Sequence, residues 1–596
     1  MWVKLLVILV ILFVGIYLPV RGAYSSTKKI IVSARGVQEG LKQENLDTIK
    51  LNLKEMKKAN DGLNLSLNFL VWARVIPYFG GFYADGKHFA KAASYELKAI
   101  NTLADSLEPH KAELGFNGTP TPGTDRVSQA VKVLDKIIPQ LDKVAPDLKK
   151  AAEEVTSVDV NKYPETWGGR TIRSKVDTAK NFIGGAYYAV SEAKPALEAA
   201  PSALGEPTAK NYLIVFQNDK ELRATGGFMT AYAYLTLDKG RIASSQSDDI
   251  YRLDEKLLEV CRNVICPLTP PAPIAKYLPE VNGKPRSAWS MRDSNLSPDV
   301  PTSMQQFEKF YSYIKGAPFD GIILIDTHVV EELIKITGPI DVYGTTYSAE
   351  TDKRCNCPNV IYELERYAQI IEAGEADRKA VLGTLMQQIL ARSLGASTEK
   401  LPEFINVGVK MANSKNMMFY MHDQKLQSAL TDLNWTGVIR QTDGDYLHVN
   451  DSNFAGGKSN LYVEEEVNLE IDSKTGKHKL TINYKNPQAY TNWLNGINRD
   501  YVRIYVPKGA KLVSSKGSEQ KVTTIDEELG KTVFEAFIQV RPQNSTQLMF
   551  EYEAPFKKDG GLLIQRQPGT KNFNYTVKLD GKIQKFKLET DKELKF

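Results

Sequence analysis

The sequence predicts three structural classes in series: an N-terminal membrane helix with an α-helical bundle, a central α/β domain, and a C-terminal antiparallel β-sandwich. An apolar run opens the chain, residues 26 to about 200 repeat apolar positions at helical spacing, and from about residue 459 apolar and polar residues alternate with period two. The expected boundaries are 1–24 for the anchor, 25–205 for a helical stalk or bundle, 206–445 for the α/β domain and 446–596 for the sandwich. A chain of 596 residues has room for three or four domains at ~150 residues each. A net charge of +5 over that length lacks the concentrated basic face of a nucleic-acid binder, so no nucleic-acid partner is expected.

Leu5 to Val20 is an unbroken apolar run, preceded by Lys4 and followed by Arg21. As a helix it is about 24 Å long at ~1.5 Å per residue, slightly short of the ~30 Å hydrocarbon core. A cleaved signal peptide needs small residues before the cut, and Val20-Arg21-Gly22-Ala23 places arginine there, which favours an uncleaved anchor. Lys4 argues for an inside start, whereas Arg21, Lys28 and Lys29 pull the other way. With no second span, the expected location is the cell membrane, single-pass, with the bulk of the chain extracytoplasmic. The four cysteines fall as Cys261-x₄-Cys266 and Cys355-x-Cys357. In an exported chain disulfides are favoured over a zinc site or free thiols, and the spacing leaves the pairing open.

In the helical region Leu41, Ile49, Leu53 and Met56 share one face, and segments 86–113, 125–155 and 171–200 repeat the pattern between proline and glycine breaks. No titratable cluster there suggests catalysis, and the expectation is a stalk or packing platform.

From about 208 strands and helices alternate. Tyr212–Phe216 and Phe228–Leu237 read as buried strands around Gln217-Asn218-Asp219, Glu221, Arg223 and the Gly226-Gly227 pair. That charged segment falls at a strand end, where open α/β sheets bind ligands. Phe319–Asp326 reads as a strand, Thr327 as the cap of a helix through Lys335, and Gly338-Pro339 as its stop before a strand at Ile340–Val342. Beyond 459, runs such as Asp500–Val513 and Lys531–Pro542 alternate around short turns, one of them at Thr475-Gly476.

Two motifs are set aside. Phe454–Ser459 ends like a phosphate-binding loop, but Ser452 stands where a glycine is needed and a strand follows. The six histidines form no His-Glu-x-x-His pair, and there is no Gly-x-Ser-x-Gly elbow.

Three blocks, Tyr212–Phe228, Arg292–Asp299 and Phe319–Val342, followed by Asn453–Asn460 and Tyr501–Lys508, resemble the bacterial domain-of-unknown-function family numbered 4012 over most of residues 205–596. The central region is also similar in layout to the LytR-CpsA-Psr phosphotransferases, which attach lipid-pyrophosphate-borne glycopolymers to peptidoglycan outside the membrane. Tyr212–Asp219 with Arg223 resembles their opening strand. Phe319–Val342 resembles their strand–helix unit, with Gly338-Pro339-Ile340 in place of Gly-Gly-Val, and Arg378-Lys379 before Val381-Leu382 resembles their basic helix. Their Arg-Asp pair is replaced by Gln246–Arg252, with acid and base separated and reversed, and their double-arginine helix keeps only Arg378.

The LytR-CpsA-Psr-like reading implies a membrane protein that binds a polyprenyl-phosphate-linked glycan and, if it is an enzyme, transfers from it. Arginine forks neutralise pyrophosphate, and magnesium held by carboxylates completes the charge balance. The residues implied for catalysis are Asp219, Arg223, Arg252 and Arg292. For the substrate they are Arg223, Arg292, Arg378 and Lys379, and for Mg2+ they are Asp219, Asp248, Asp249 and Asp293. The alternative is a non-catalytic envelope scaffold or adhesion protein whose sandwich binds a cell-wall polymer or partner. On that reading Arg223 braces its turn against Glu221 or Asp219, Arg292-Asp293 is a structural ion pair, and Asp326 is a helix cap.

Overall fold

The structure is a computed structural model that describes residues 13–595 except 78, 119–122, 279–283, 371–379, 397–399 and 556–559. Compactness divides the chain into two units. One is the chain up to Ala209 with Asp238–Arg241 and Leu394–Leu401; the other is Lys210–Leu237, Ile242–Ser393 and Pro402–Phe596.

The first unit is helical: α1 (Leu18–Lys42), α2 (Leu46–Phe69), α3 (Phe79–Leu107), α4 (Gly123–Thr156), α5 (Arg173–Ser191) and α6 (Lys194–Ala203). Asn45 starts α2 by accepting a hydrogen bond from the Thr48 amide at 2.9 Å, which satisfies one of the donors a helix start leaves open. α1 and α2 pack closely through glycine. A Cβ on Gly36 would fall 1.9 Å from Asn52 Oδ1, and one on Gly22 would fall 2.6 Å from Ser66 Oγ. Ile49, Leu53 and Leu97 form one buried cluster, with Met56 packed against it. The helix expected over 86–113 ends at Leu107, where Pro109 and a short 3₁₀ turn follow. The segment expected as one helix over 171–200 is two, α5 and α6, and a short hairpin, Thr166–Trp167 with Arg170–Thr171, precedes it.

Most of the expected anchor, residues 1–12, lies outside the described residues. Among those described, no helix is long and apolar enough to cross a membrane. Phe13–Tyr17 runs directly into α1.

The second unit begins with a five-stranded sheet. Its strands are β1 (Lys210–Asn218), β2 (Phe228–Asp238), β3 (Arg241–Asp249), β4 (Gly321–Asp326) and β5 (Met417–Met421), in the order β5-β4-β1-β2-β3. β1 and β4 are parallel, while β1–β2 and β4–β5 are antiparallel, so the α/β region has a mixed sheet. α7 (Ile250–Asn263) and α8 (Val300–Tyr313) share a buried cluster with β1 and β4 through Leu253, Phe307, Leu213 and Ile322. α9 (Thr327–Thr337), α10 (Asn359–Ile370) and α11 (Ala380–Leu394) follow, with further helices at Ala272–Tyr277, Leu401–Asn413 and Gln424–Asp432, and Val329, Leu382 and Met411 pack with Phe216 and Ile325 in a second cluster. Ile340–Val342 does not join the main sheet as expected but pairs with Thr345–Tyr347, because Gly344 at φ 79° folds the chain straight back. Both cysteine pairs close locally, Cys261 with Cys266 and Cys355 with Cys357.

The C-terminal region carries two six-stranded sheets. The first has the order β11-β12-β9-β6-β14-β17, from β6 (Asp445–Asn453), β9 (Asn498–Pro507), β11 (Thr523–Glu528), β12 (Lys531–Val540), β14 (Leu562–Ile564) and β17 (Lys592–Leu594). The second has the order β10-β13-β8-β7-β15-β16, from β7 (Glu464–Asp472), β8 (Lys477–Asn486), β10 (Lys511–Lys516), β13 (Asn544–Glu553), β15 (Asn574–Leu579) and β16 (Lys582–Lys587). One buried cluster draws on both, with Leu447, Val502 and Phe534 from one sheet and Leu469, Ile482 and Phe550 from the other. Neither sheet is wholly antiparallel as expected: β6–β14 and β7–β15 are parallel pairs. Period-two alternation fixes which face a residue takes but is blind to strand direction.

Candidate functional site

β1 and β4 run parallel and end side by side, Gln217 opposite Asp326. The residues immediately after each end meet. Asp219 is buried and accepts from Thr327 Oγ1 at 2.5 Å and from Lys220 Nζ at 2.5 Å. His328 Nδ1 lies 3.3 Å from Asp219 and 3.5 Å from Asp326. Asp326 caps α9, as the scaffold reading had it, accepting from the His328 amide at 2.9 Å, while Thr327, also read as a cap, is the first helical residue; the other Asp326 oxygen accepts from Asn416 Nδ2 at 2.6 Å. Burial pushes the Asp219 carboxyl up, but the Lys220 ammonium, His328 and the hydrogen bonds outweigh it and hold it below the usual carboxylate range. Burial likewise works against the Lys220 charge, and Asp219 overcomes it, raising the ammonium's pKa.

Asp219, Asp326 and His328 each offer a ligand atom within 4.8 Å of the others. Among the described residues this is the group with metal-holding geometry. Carboxylate oxygen suits magnesium, whereas the imidazole shifts the preference of this donor set toward manganese or zinc. A cation here would share Asp219 with the Lys220 ammonium. Adjoining the cluster is a small cavity of about 60 Å³ whose wall mixes apolar residues, among them Phe216, Ile325, Val330 and Leu382, with Asp326, Thr327 and the hydrogen-bonded pair Asn218–Glu365.

A second charged group forms one residue further on. Arg223 is buried, donates to Glu221 at 2.9 Å and to the Asn453 carbonyl oxygen, and lies 5.3 and 5.4 Å from the ring centres of Phe228 and Phe454. Lys458 Nζ reaches Glu221 at 2.5 Å, so the segment resembling a phosphate loop supplies an ion-pair partner to the β1–β2 connection. Burial raises the Glu221 carboxyl, and Lys458 and Arg223 more than reverse it.

The structure brings Arg223, Arg292 and Asp293 together. Asp293 lies 3.0 Å from Arg286, 3.8 Å from Arg292 and 3.9 Å from Arg223. Arg292 is held at 2.5 Å by Asp254 and covers the Tyr251 ring at 4.4 Å; burial pushes the Asp254 carboxyl up to about 6 against that pull. Asp248, Asp249 and Arg252 do not join either group. They sit where β3 meets α7, with β2 between them and β1. Asp249 caps α7 through the Tyr251 amide at 3.0 Å, Asp248 accepts from the Asp249 amide at 2.7 Å, and Arg252 pairs with Glu255 at 3.2 Å. Arg378 and Lys379 lie outside the described residues.

Sequence reasoning passed over Lys220 and His328 and read Asp326 only as a cap. The signal was available: two parallel strands ending in Asn-Asp-Lys and Asp-Thr-His put both triplets at one sheet edge.

The chain thus combines a helical unit with a second unit that carries a mixed α/β sheet, an acid–imidazole cluster at its strand ends, and two further C-terminal sheets. Residues 208–354 match the model of the family described as protein of unknown function (DUF4012), and this segment of the chain belongs to that family. The match runs from β1 through the Ile340–Tyr347 hairpin and does not reach the C-terminal blocks included in the resemblance read from sequence. No curated protein and no solved structure matched the chain.

Proposed function

We propose that the chain is a membrane-anchored cell-envelope protein that binds a polyprenyl-linked phosphate or pyrophosphate glycan carrier. The head group lies at the Asp219–Asp326–His328 cluster with a divalent cation, and the first part of the tail enters the adjoining cavity. One observation carries this reading: the cation-capable cluster and a partly apolar cavity share Asp326 at the ends of two parallel strands. The helix start at Thr327 adds a favourable field for an anion. Binding is favoured over transfer, because Arg223 and Arg292 are already held by Glu221 and Asp254 and neither converges on Asp219.

The test is calorimetric titration of the full chain in detergent with geranylgeranyl pyrophosphate and manganese or magnesium. Binding that needs the cation, is lost in Asp326→Asn and His328→Ala, and is weakened for the lipid but not for inorganic pyrophosphate in Leu382→Trp supports the reading. Absence of binding under all these conditions ends it.

A second reading, a non-catalytic scaffold that holds wall polymer, draws on a different observation. A groove of about 540 Å³ lies between α8 and the first C-terminal sheet, lined by Trp289, Gln305, Tyr501, Arg503 and Glu528. Buried Arg503 Nε and Ser294 Oγ in its lining have no protein partner, and such groups suit a polyhydroxylated ligand. On this reading the two sheets form a β-sandwich whose face carries the polymer. Binding of purified cell-wall sacculi that persists in Asp326→Asn and fails in Thr302→Trp would favour it over the first.

A further inference from the structure

The turn between α2 and α3 is apolar and, among the described residues, exposed. Phe69 is 63% exposed, Val71 59%, Val75 84% and Phe79 61%, and Trp72 and Ile76 are exposed beside them. Isolated exposed apolar residues are ordinary, whereas a contiguous group of this size marks a contact surface. From Phe69 to Phe79 the sequence has a single charge, Arg74. Proline and glycine after it make the stretch read as punctuation, so the sequence alone hides it.

The packing of α1 on α2 decides where this turn lies. Gly22 meets Ser66, which places the start of α1 beside the end of α2. Trp72 Nε1 then donates to the Gly15 carbonyl oxygen at 3.1 Å. The turn therefore sits beside Phe13–Val20, where Phe13, Val14, Ile16, Tyr17, Leu18 and Val20 are exposed as well. In sequence this segment continues the apolar run that starts at Leu5.

We propose that the α2–α3 turn is a lipid-docking surface that enters the interfacial layer of the bilayer beside the N-terminal apolar segment. Its elements are Val71, Trp72, Val75, Ile76 and Phe79. The occupant is a bilayer rather than a second copy of the chain for three reasons. The patch adjoins the exposed apolar residues of Phe13–Val20, which in sequence continue the apolar run that starts at Leu5. It presents an indole, whose apolar body and polar edge favour the headgroup boundary. It is also flanked by exposed Arg21 and Arg74, which can reach anionic lipid phosphates. The depth is interfacial because Val71–Val75 is a short 3₁₀ turn, whose end carbonyls the hydrocarbon core could not satisfy. Docking at two points fixes the tilt of the α1–α2 hairpin against the membrane, which a single flexible span cannot do.

This inference takes the membrane from the reading above and adds the surface, and the two fail separately. The full chain is reconstituted into phosphatidylcholine–phosphatidylglycerol vesicles containing lipid brominated near the head group, and tryptophan emission is compared with that of Trp72→Phe. The expected result is that the bromine-quenched share of emission drops in Trp72→Phe. A Val75→Asp/Ile76→Asp double variant should float with vesicles as wild type does yet lose that quenching. Flotation of wild type with no quenching difference between it and Trp72→Phe overturns the docking surface and leaves the anchor standing. Failure to float overturns both. A dimer in detergent that the double variant dissociates, with Trp72 unquenched by brominated lipid, assigns the patch to a second copy and overturns the proposal.

Discussion

Arg223 donates to the main-chain oxygen of Asn453, so a side chain from the β1–β2 connection is tied to the last residue of β6, 230 positions away. The guanidinium lies against Phe228 and Phe454 and is paired with Glu221, which is itself paired with Lys458. This makes the segment after β1 a joint between the α/β sheet and the first C-terminal sheet.

Removing one member of a buried charge network leaves its partner uncompensated. Arg223→Ala is expected to destabilise the second unit by about 3–5 kcal/mol. The loss should appear in urea unfolding. Arg223→Lys should recover only part of it, because an ammonium cannot keep both the Glu221 pair and the Asn453 contact.

Asp219 and Lys220 form a second buried pair. Asp219→Asn should cost more than Lys220→Met, since the first strands an ammonium and the second leaves a carboxylate still bonded to Thr327. The double variant should be more stable than Asp219→Asn alone, by about 1–2 kcal/mol. Additive losses in the double-variant cycle would contradict the pairing.

Three carboxyl groups, Asp451, Glu465 and Asp500, are buried on the inner faces of β6, β7 and β9 at one end of the inter-sheet core. Tyr484 donates to Asp451 at 3.0 Å and Asn498 to Asp500 at 2.9 Å. Burial pushes Glu465 up to about 8 and Asp500 up to about 6, and it raises Asp451 well above the usual range. Lys571 and Arg223 are the cations that act on the group, and they do not reverse the shifts. Folded values above unfolded ones mean that the native state binds more protons. Their contribution to stability is therefore complete below pH ~4 and is lost as pH rises, that of Asp500 through about 6 and that of Glu465 through about 8. Glu465→Gln should flatten that fall and leave the protein at least about 1 kcal/mol more stable than wild type at pH 8. Urea midpoints at pH 5 and pH 8 give the comparison.

Cys355 and Cys357 are buried in the cluster that contains Val360 and Leu385, whereas Cys261 and Cys266 flank the exposed Val264 and Ile265. Phosphine reduction under native conditions, followed by alkylation and mass spectrometry, should label Cys261 and Cys266 first. Simultaneous labelling of all four would show that the Cys355 cluster opens as readily as the loop.

Much of the architecture was legible locally. Periodicity gave helices before 205 and strands after 459, and punctuation gave the stop at Gly338. The site was legible only in part, because Asp219 and Arg223 stand four residues apart yet fold into different charge groups. A strand end reverses direction over such a distance, and sequence spacing does not say which neighbour each side chain meets.

The sequence by itself determined the helical, mixed α/β and β-rich character of the successive regions, since burial of an apolar face imposes period 3.6 or period 2 wherever it occurs. The order of its blocks also pointed to a family over most of residues 205–596, and the family model matches residues 208–354 of that range. Tertiary structure decided everything that needs two distant segments at once. It made β6–β14 and β7–β15 parallel, paired Ile340–Val342 outside the main sheet, and set His328 against Asp219 and Trp72 against Gly15. Strand direction and side-chain partnership are relations between chain segments, and local propensity carries no information about them.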